Sequence, residues 1–244
     1  MPIFENGPIR IRYEEAGAGF PMLVIPGGGL NARVESLGVA GSFSPLVEFA
    51  NTHRCVALDI RNANGGDSTG PLEIDRPWDG FTDDHLALMD HLGIDKFHTL
   101  GGCIGSSFCL TLCEMTPDRI SAAVLQNPVG LHPEHPEYFP DAFAKWAAAQ
   151  KVDRPELADA DLGSFGHNMW GGDFTFNVSR GFARNCKTPS LVLPGDDTPH
   201  PRVIGMEIAD LLPNSEILVD WKGPDHIDEQ SRRVVDFLAK HTPR

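Results

Sequence analysis

No stretch of about 18 consecutive apolar residues occurs in this chain, so no segment is long enough to cross a bilayer as a helix. The opening segment, MPIFENGPIRIRYEE, lacks a basic patch followed by an apolar run, and no secretion signal is read there. Positive charge is scarce: 20 Lys and Arg against 34 Asp and Glu leave a formal net charge of −14. That balance disfavours nucleic acid and anionic membrane surfaces as partners, since both attract basic proteins. No CxxC pair occurs, and the five cysteines (Cys55, Cys103, Cys109, Cys113, Cys186) are an odd number. Free thiols in a reducing cytoplasm are the simplest reading of that pattern. Internal repeats and low-complexity tracts are also missing, and oligomeric state has no signature in the sequence.

What is present suits a folded domain. With 244 residues, 41% hydrophobic and 22% charged, the chain can bury one substantial core plus a small appended unit. Short apolar runs alternate with helical patterns, which predicts a mostly parallel sheet covered by helices on both faces. Strands are expected over Ile9–Tyr13, Pro21–Ile25, His53–Ile60, Phe97–Gly102, Ser121–Gln126, Ser190–Pro194 and Glu216–Trp221. Helical spacing is expected over Thr82–Leu92, Ile104–Met115 and Glu229–Lys240, with Gly93 and Thr116-Pro117 as stops for the first two.

Residues 131–188 break this rhythm. A Pro/His-rich opening, His132 to Glu137, precedes a helix expected over Asp141–Gln150, and Phe165, Met169, Trp170, Phe174 and Phe176 follow closely. An insertion of this kind between two core strands suits a small helical lid, whose aromatics either line a pocket or bind the lid to the core. His132, Glu134 and His135 superficially imitate a metal site, but a proline-rich loop without further ligands does not make one. The reading calls for no metal and no cofactor.

The residues that carry chemistry are Gly101-Gly102-Cys103-Ile104-Gly105, placed between an apolar strand and a helix. Glycines two places before and two places after a central residue mark a sharp strand-to-helix turn. Such a turn holds one side chain out of the end of a sheet in a strained conformation. At a helix N-terminus the dipole and unpaired N–H groups favour the anionic form of a thiol. Cys109 and Cys113 sit inside the following helix and read as packing residues, while Ser106 and Ser107 lack the paired glycines.

With this elbow, the glycine-rich turn Gly27-Gly28-Gly29 and the Asp59-Ile60-Arg61 loop, the chain resembles the α/β-hydrolase fold superfamily over nearly its whole length. The resemblance implies a core of residues 1–130 and 189–244, and a short helical lid, 131–188, between the sixth and seventh strands. It also implies the order nucleophile, acid, histidine. Cys103 is then the nucleophile. The acid is sought in Gly195-Asp196-Asp197-Thr198-Pro199-His200-Pro201, where counting back from the final proline favours Asp197, with Asp196 as the alternative. The base is expected at His226, between the last strand and the last helix. The backbone N–H groups of Gly28 and Ile104 would form the oxyanion hole. Gly29, Arg61, Trp170 and His200 are the candidate pocket residues, and Arg61 either meets a substrate carboxylate or supports its own loop.

A cysteine at the elbow resembles the dienelactone hydrolases, whereas the lid and the Asp59-Ile60-Arg61 loop look more like lidded esterases and C–C bond hydrolases. The implied activity is hydrolysis of a small ester, lactone or thioester through a thioester acyl-enzyme. Acyl transfer and C–C cleavage are the alternatives on the same residues, and a non-catalytic small-molecule receptor is the alternative of another class.

Overall fold

Gly, Pro and Asn cut the apolar runs of the chain into segments of strand length, and in the computed structural model these pair into one sheet. The structure describes residues 2–38 and 44–243. Among these residues the strands are β1 (Ile3–Asn6), β2 (Ile9–Ala16), β3 (Phe20–Ile25), β4 (His53–Leu58), β5 (Phe97–Gly102), β6 (Ile120–Gln126), β7 (Ser190–Leu193) and β8 (Ser215–Ile217). Their order is β1-β2-β4-β3-β5-β6-β7-β8. β2 pairs antiparallel with β1 and β4, and every pairing from β4 to β8 is parallel.

Alternation along each strand divides the core in two. Leu23 and Ile25 of β3 enter one cluster while Met22 and Val24 enter the other, on the opposite face. Because both faces are covered, the central strands read as near-continuous apolar runs rather than alternating ones. Helices α2 (Pro77–His91) and α3 (Ile104–Met115) cover the first face, and α1 (Pro45–Glu48) lies on the second.

Between β6 and β7 run α4 (Tyr138–Asp153), α5 (Asp159–Trp170) and α6 (Arg180–Asn185); α7 (Arg202–Leu211) follows β7. The last helix, α8 (Ile227–His241), turns Val234, Phe237 and Leu238 onto the second face, where Trp221 is also buried.

Several boundaries differ from the sequence reading. β1 was not expected, because IFEN buries only Phe4 and shows no apolar run. β8 stops at Ile217 instead of reaching Trp221. Leu218 still donates to the Val192 carbonyl at 2.9 Å, after which the chain turns so that Trp221 Nε1 can donate to the Pro194 carbonyl at 2.9 Å. α2 starts at Pro77, five residues before the expected start, since proline fits a first helical turn and Trp78 and Phe81 extend the buried stripe.

The inserted helices are tied to the core by polar as well as apolar contacts. Trp146 Nε1 and Gln150 Nε2 both donate to the Asn62 carbonyl, at 3.2 and 2.9 Å, and Trp78 Nε1 donates to the Met169 carbonyl at 3.0 Å. Phe165 and Phe174 are fully buried and serve as glue, whereas Trp170 and Phe139 reach a cavity above the strand ends.

Candidate active site

Cys103 occupies the turn between β5 and α3 with φ 56° and ψ −123°, a conformation that L-residues rarely adopt. Such strain costs on the order of 1–3 kcal/mol and persists only where the surroundings enforce it. Here β5, α3 and β3 converge. A Cβ on Gly101 would lie 2.1 Å from the Gly105 carbonyl oxygen, and one on Gly105 would lie 2.2 Å from that of Ile25. The Cys103 N–H donates to the Gln126 carbonyl of β6 at 2.9 Å, locking the elbow to the neighbouring strand.

The turn after β7 brings its histidine back onto its own aspartate. Asp197 Oδ1 accepts from the His200 backbone N–H at 3.1 Å and lies 2.5 Å from His200 Nδ1. A carboxylate at that position fixes the proton on Nδ1. His200 Nε2 is buried without a regular hydrogen-bond partner, and the imidazole meets the Cys103 thiol.

Titration follows from these contacts. Burial pushes the Cys103 thiol up, but the His200 imidazole beside it and the backbone N–H groups of Gly28 and Ile104 pull it down further, to a net value below the ordinary thiol range. Burial pushes His200 down, while Cys103 and the Asp197 carboxylate raise it, for a net increase. Cys55 and Cys109, for which no imidazole offsets burial, are pushed up to about 12. The two groups thus pull each other toward their charged forms. Gly28 itself sits at φ 129°, a region open mainly to glycine, and this aims its N–H toward Cys103.

Of the residues named from sequence, Cys103, Asp197, Gly28, Gly29, Trp170 and His200 border one cavity of about 540 Å³. Ile104 stands behind Cys103, with only its backbone N–H directed at the thiol. Asp196 points elsewhere and pairs with the Lys222 ammonium.

Two residues named from sequence do not border this cavity. His226 ends a short turn, Pro224–His226, that leads into α8. Lys222 and Gly223 of that loop border the cavity, but His226 does not. Arg61 is also away from the cavity. Its Nε lies 3.0 Å from Asp84 Oδ2, and its Nη atoms donate to the carbonyls of Pro71 and Gly80, both at 3.2 Å. Burial raises Asp84 to about 7 against the opposing pull of Arg61, so this arginine supports its loop and α2.

His200 was legible only as a pocket residue. The signal for more was the Asp197-x-x-His200 spacing, with His200 between Pro199 and Pro201, which a tight turn folds into contact. The His132 and His135 rings lie 4.8 Å apart, tilted by 51°, within their own loop, and no group of three or more metal-ligating side chains assembles among the described residues. Nor, among them, is any helix long and apolar enough to cross a membrane.

Known proteins share this architecture. The α/β-hydrolase MGS-M2 from a Medee basin deep-sea metagenome superposes with a TM-score of 0.73 at 17% identity, covering 100% of this chain and 99% of that one. The enol-lactonase of Burkholderia xenovorans LB400 superposes with a TM-score of 0.68 at 20% identity, covering 98% and 100%. In sequence, a 2-hydroxymuconate semialdehyde hydrolase from Pseudomonas sp. strain CF600 is 27% identical over 123 residues, 50% of this chain. The matched stretch spans only 41% of that relative's length. The model of the alpha/beta hydrolase fold family matches residues 21–194, well over half of the sequence and ending just before the Asp197–His200 turn, and the chain belongs to that family.

Proposed function

We propose that the protein hydrolyses a small ester, lactone or thioester through Cys103, His200 and Asp197, by way of a thioester acyl-enzyme. One observation carries this reading: the Asp197–His200 contact continues to Cys103 at the strained elbow, where the backbone N–H groups of Gly28 and Ile104 also meet the thiol. The Cys103 sulfur adds to the substrate carbonyl carbon, and the π pair moves to oxygen, where the N–H groups of Gly28 and Ile104 receive it. Collapse expels the leaving group, which takes the proton from His200 Nε2, and leaves the acyl group on sulfur. Water then attacks the thioester and gives its proton to His200; the carboxylic acid departs and the thiolate is restored. Asp197 holds the imidazole in the tautomer that both steps need. The insertion 131–188 acts as the lid over this reaction, and the aromatics of α4 and α5 exclude water from the acyl group.

Mixing the protein with an activated thioester and measuring intact mass tests the reading. A single acyl adduct that maps to Cys103 is expected, and it should form much more slowly in His200→Ala, where the thiol lacks its base. Full activity in Cys103→Ala would end the proposal. C–C cleavage on the same residues is the second reading, favoured by the name of the Pseudomonas relative. Turnover of a carbon-linked substrate with no turnover of esters or thioesters would select it.

A further inference from the structure

The cavity that Cys103 faces has a wall and a mouth of opposite character. One wall is built by α4 and α5, which present Phe139, Phe143, Trp146 and Trp170. These rings already pack on one another: Phe139 stacks on Trp170 at 4.7 Å between centroids, and Phe143 lies 5.8 Å from Trp146. Aromatic walls favour flat apolar groups through area burial and ring-edge contacts.

Few charged groups border the cavity, and these are engaged with one another. Asp197 is held by His200, and Lys222, the one ammonium or guanidinium bordering the cavity among the described residues, is paired with Asp196 and lies 4.0 Å from Asp197. Two carboxylates thus share one ammonium. Arg61, which the sequence offered as a carboxylate receptor, is buried against Asp84. In the adjoining hollow, Lys145 is accompanied by Glu137 and Asp141. The remaining polar lining consists of neutral groups such as Asn31, Ser36, Gln126 and Asn127. A carboxylate carried into this space would lose its hydration without gaining a counter-ion, and the net charge of −14 opposes its approach.

We infer that the site takes uncharged acyl donors bearing an aromatic or similarly bulky apolar group, and discriminates against donors that carry a carboxylate. The inference rests on the cysteine hydrolase reading above and narrows its substrate class. Phe143 and Trp146 supply the apolar selection, and the missing counter-ion supplies the exclusion.

Three thioesters of one thiol test it: acetyl, phenylacetyl and ring-carboxylated phenylacetyl. The phenylacetyl thioester should exceed each of the others in kcat/KM by roughly tenfold or more. Ala142→Arg places a guanidinium on the same wall and should shift the ratio of carboxylated to neutral substrate upward by about fivefold or more. Equal or faster turnover of the carboxylated thioester by the unaltered protein overturns the inference. Calorimetry on Cys103→Ala, with N-methyl phenylacetamide and its ring-carboxylated analogue, separates the two readings. If no thioester acylates the protein yet the variant binds the neutral amide selectively, the catalytic reading fails and the ligand class stands. Equal binding of both amides, or binding of neither, removes the ligand class itself.

Discussion

The turns that follow β7 and β8 contain the same two residue types and fold to different ends. After β7, Asp197 and His200 are three residues apart, and the backbone reverses so that the His200 N–H returns to the Asp197 carbonyl at 3.0 Å. That reversal places the carboxylate on the imidazole. After β8, Asp225 and His226 are adjacent in a short turn leading into α8. The helix that follows buries Val234 and Phe237 on the second face of the sheet. An acid orients a histidine through the conformation of the chain between them. In the proposed set of Cys103, Asp197 and His200 the order nucleophile, acid, histidine is kept along the chain, but acid and histidine come from a single turn.

Replacing each histidine in turn puts the greatest strain on this comparison. His200→Ala should lower kcat/KM on a thioester by about a thousandfold, since it removes both the thiol's base and the donor to the leaving group. His226→Ala should stay within about twofold of the unaltered protein, as befits a half-buried residue outside the cavity. Steady-state kinetics with circular dichroism to confirm folding decides the matter. A larger loss in His226→Ala would reverse the roles of the two turns.

The two aspartates of the β7 turn give a smaller contrast. Asp197→Asn should cost on the order of a hundredfold in kcat/KM, because an amide no longer fixes the Nδ1 proton, although the half-exposed carboxylate leaves water able to substitute in part. Asp196→Asn should cost only about threefold or less, through release of Lys222 beside Asp197. Comparable losses in the two variants would mean that the turn works through its net charge and not through one oriented carboxylate.

The elbow was readable because its chemistry is written in local sequence. Two glycines at fixed spacing, an apolar strand before and a helical stripe after leave one geometry, and Cys103 takes it. The core strands were readable for a similar reason, since burial on both faces enforces unbroken apolar runs. The histidine was not readable in this way. Choosing between His200 and His226 depends on where α8 docks and how tightly Asp197 turns, and neither is encoded within the few residues around a histidine. Arg61 shows the same limit: its loop position was right, and its partner, Asp84, comes from a helix more than twenty residues later.

The smallest predicted effect is a shift in pH, and it probes the contact at the centre of the comparison. Only the thiolate reacts with iodoacetamide, so the alkylation rate of Cys103 rises as pH climbs through its pKa. In the unaltered protein the midpoint should fall below that of an ordinary thiol, because His200 and two backbone N–H groups outweigh burial. In His200→Ala the burial remains and the largest opposing influence is gone, so the midpoint should move above the unaltered protein's, toward the range of the buried Cys55 and Cys109. In His226→Ala it should not move. The converse holds for the imidazole: Cys103→Ala should lower the pKa of His200, measured by NMR of its ring protons, since the thiolate that raises it is absent and burial pushes the other way. If the alkylation midpoint follows His226 and ignores His200, the thiol is paired with the turn after β8, whatever order the chain preserves.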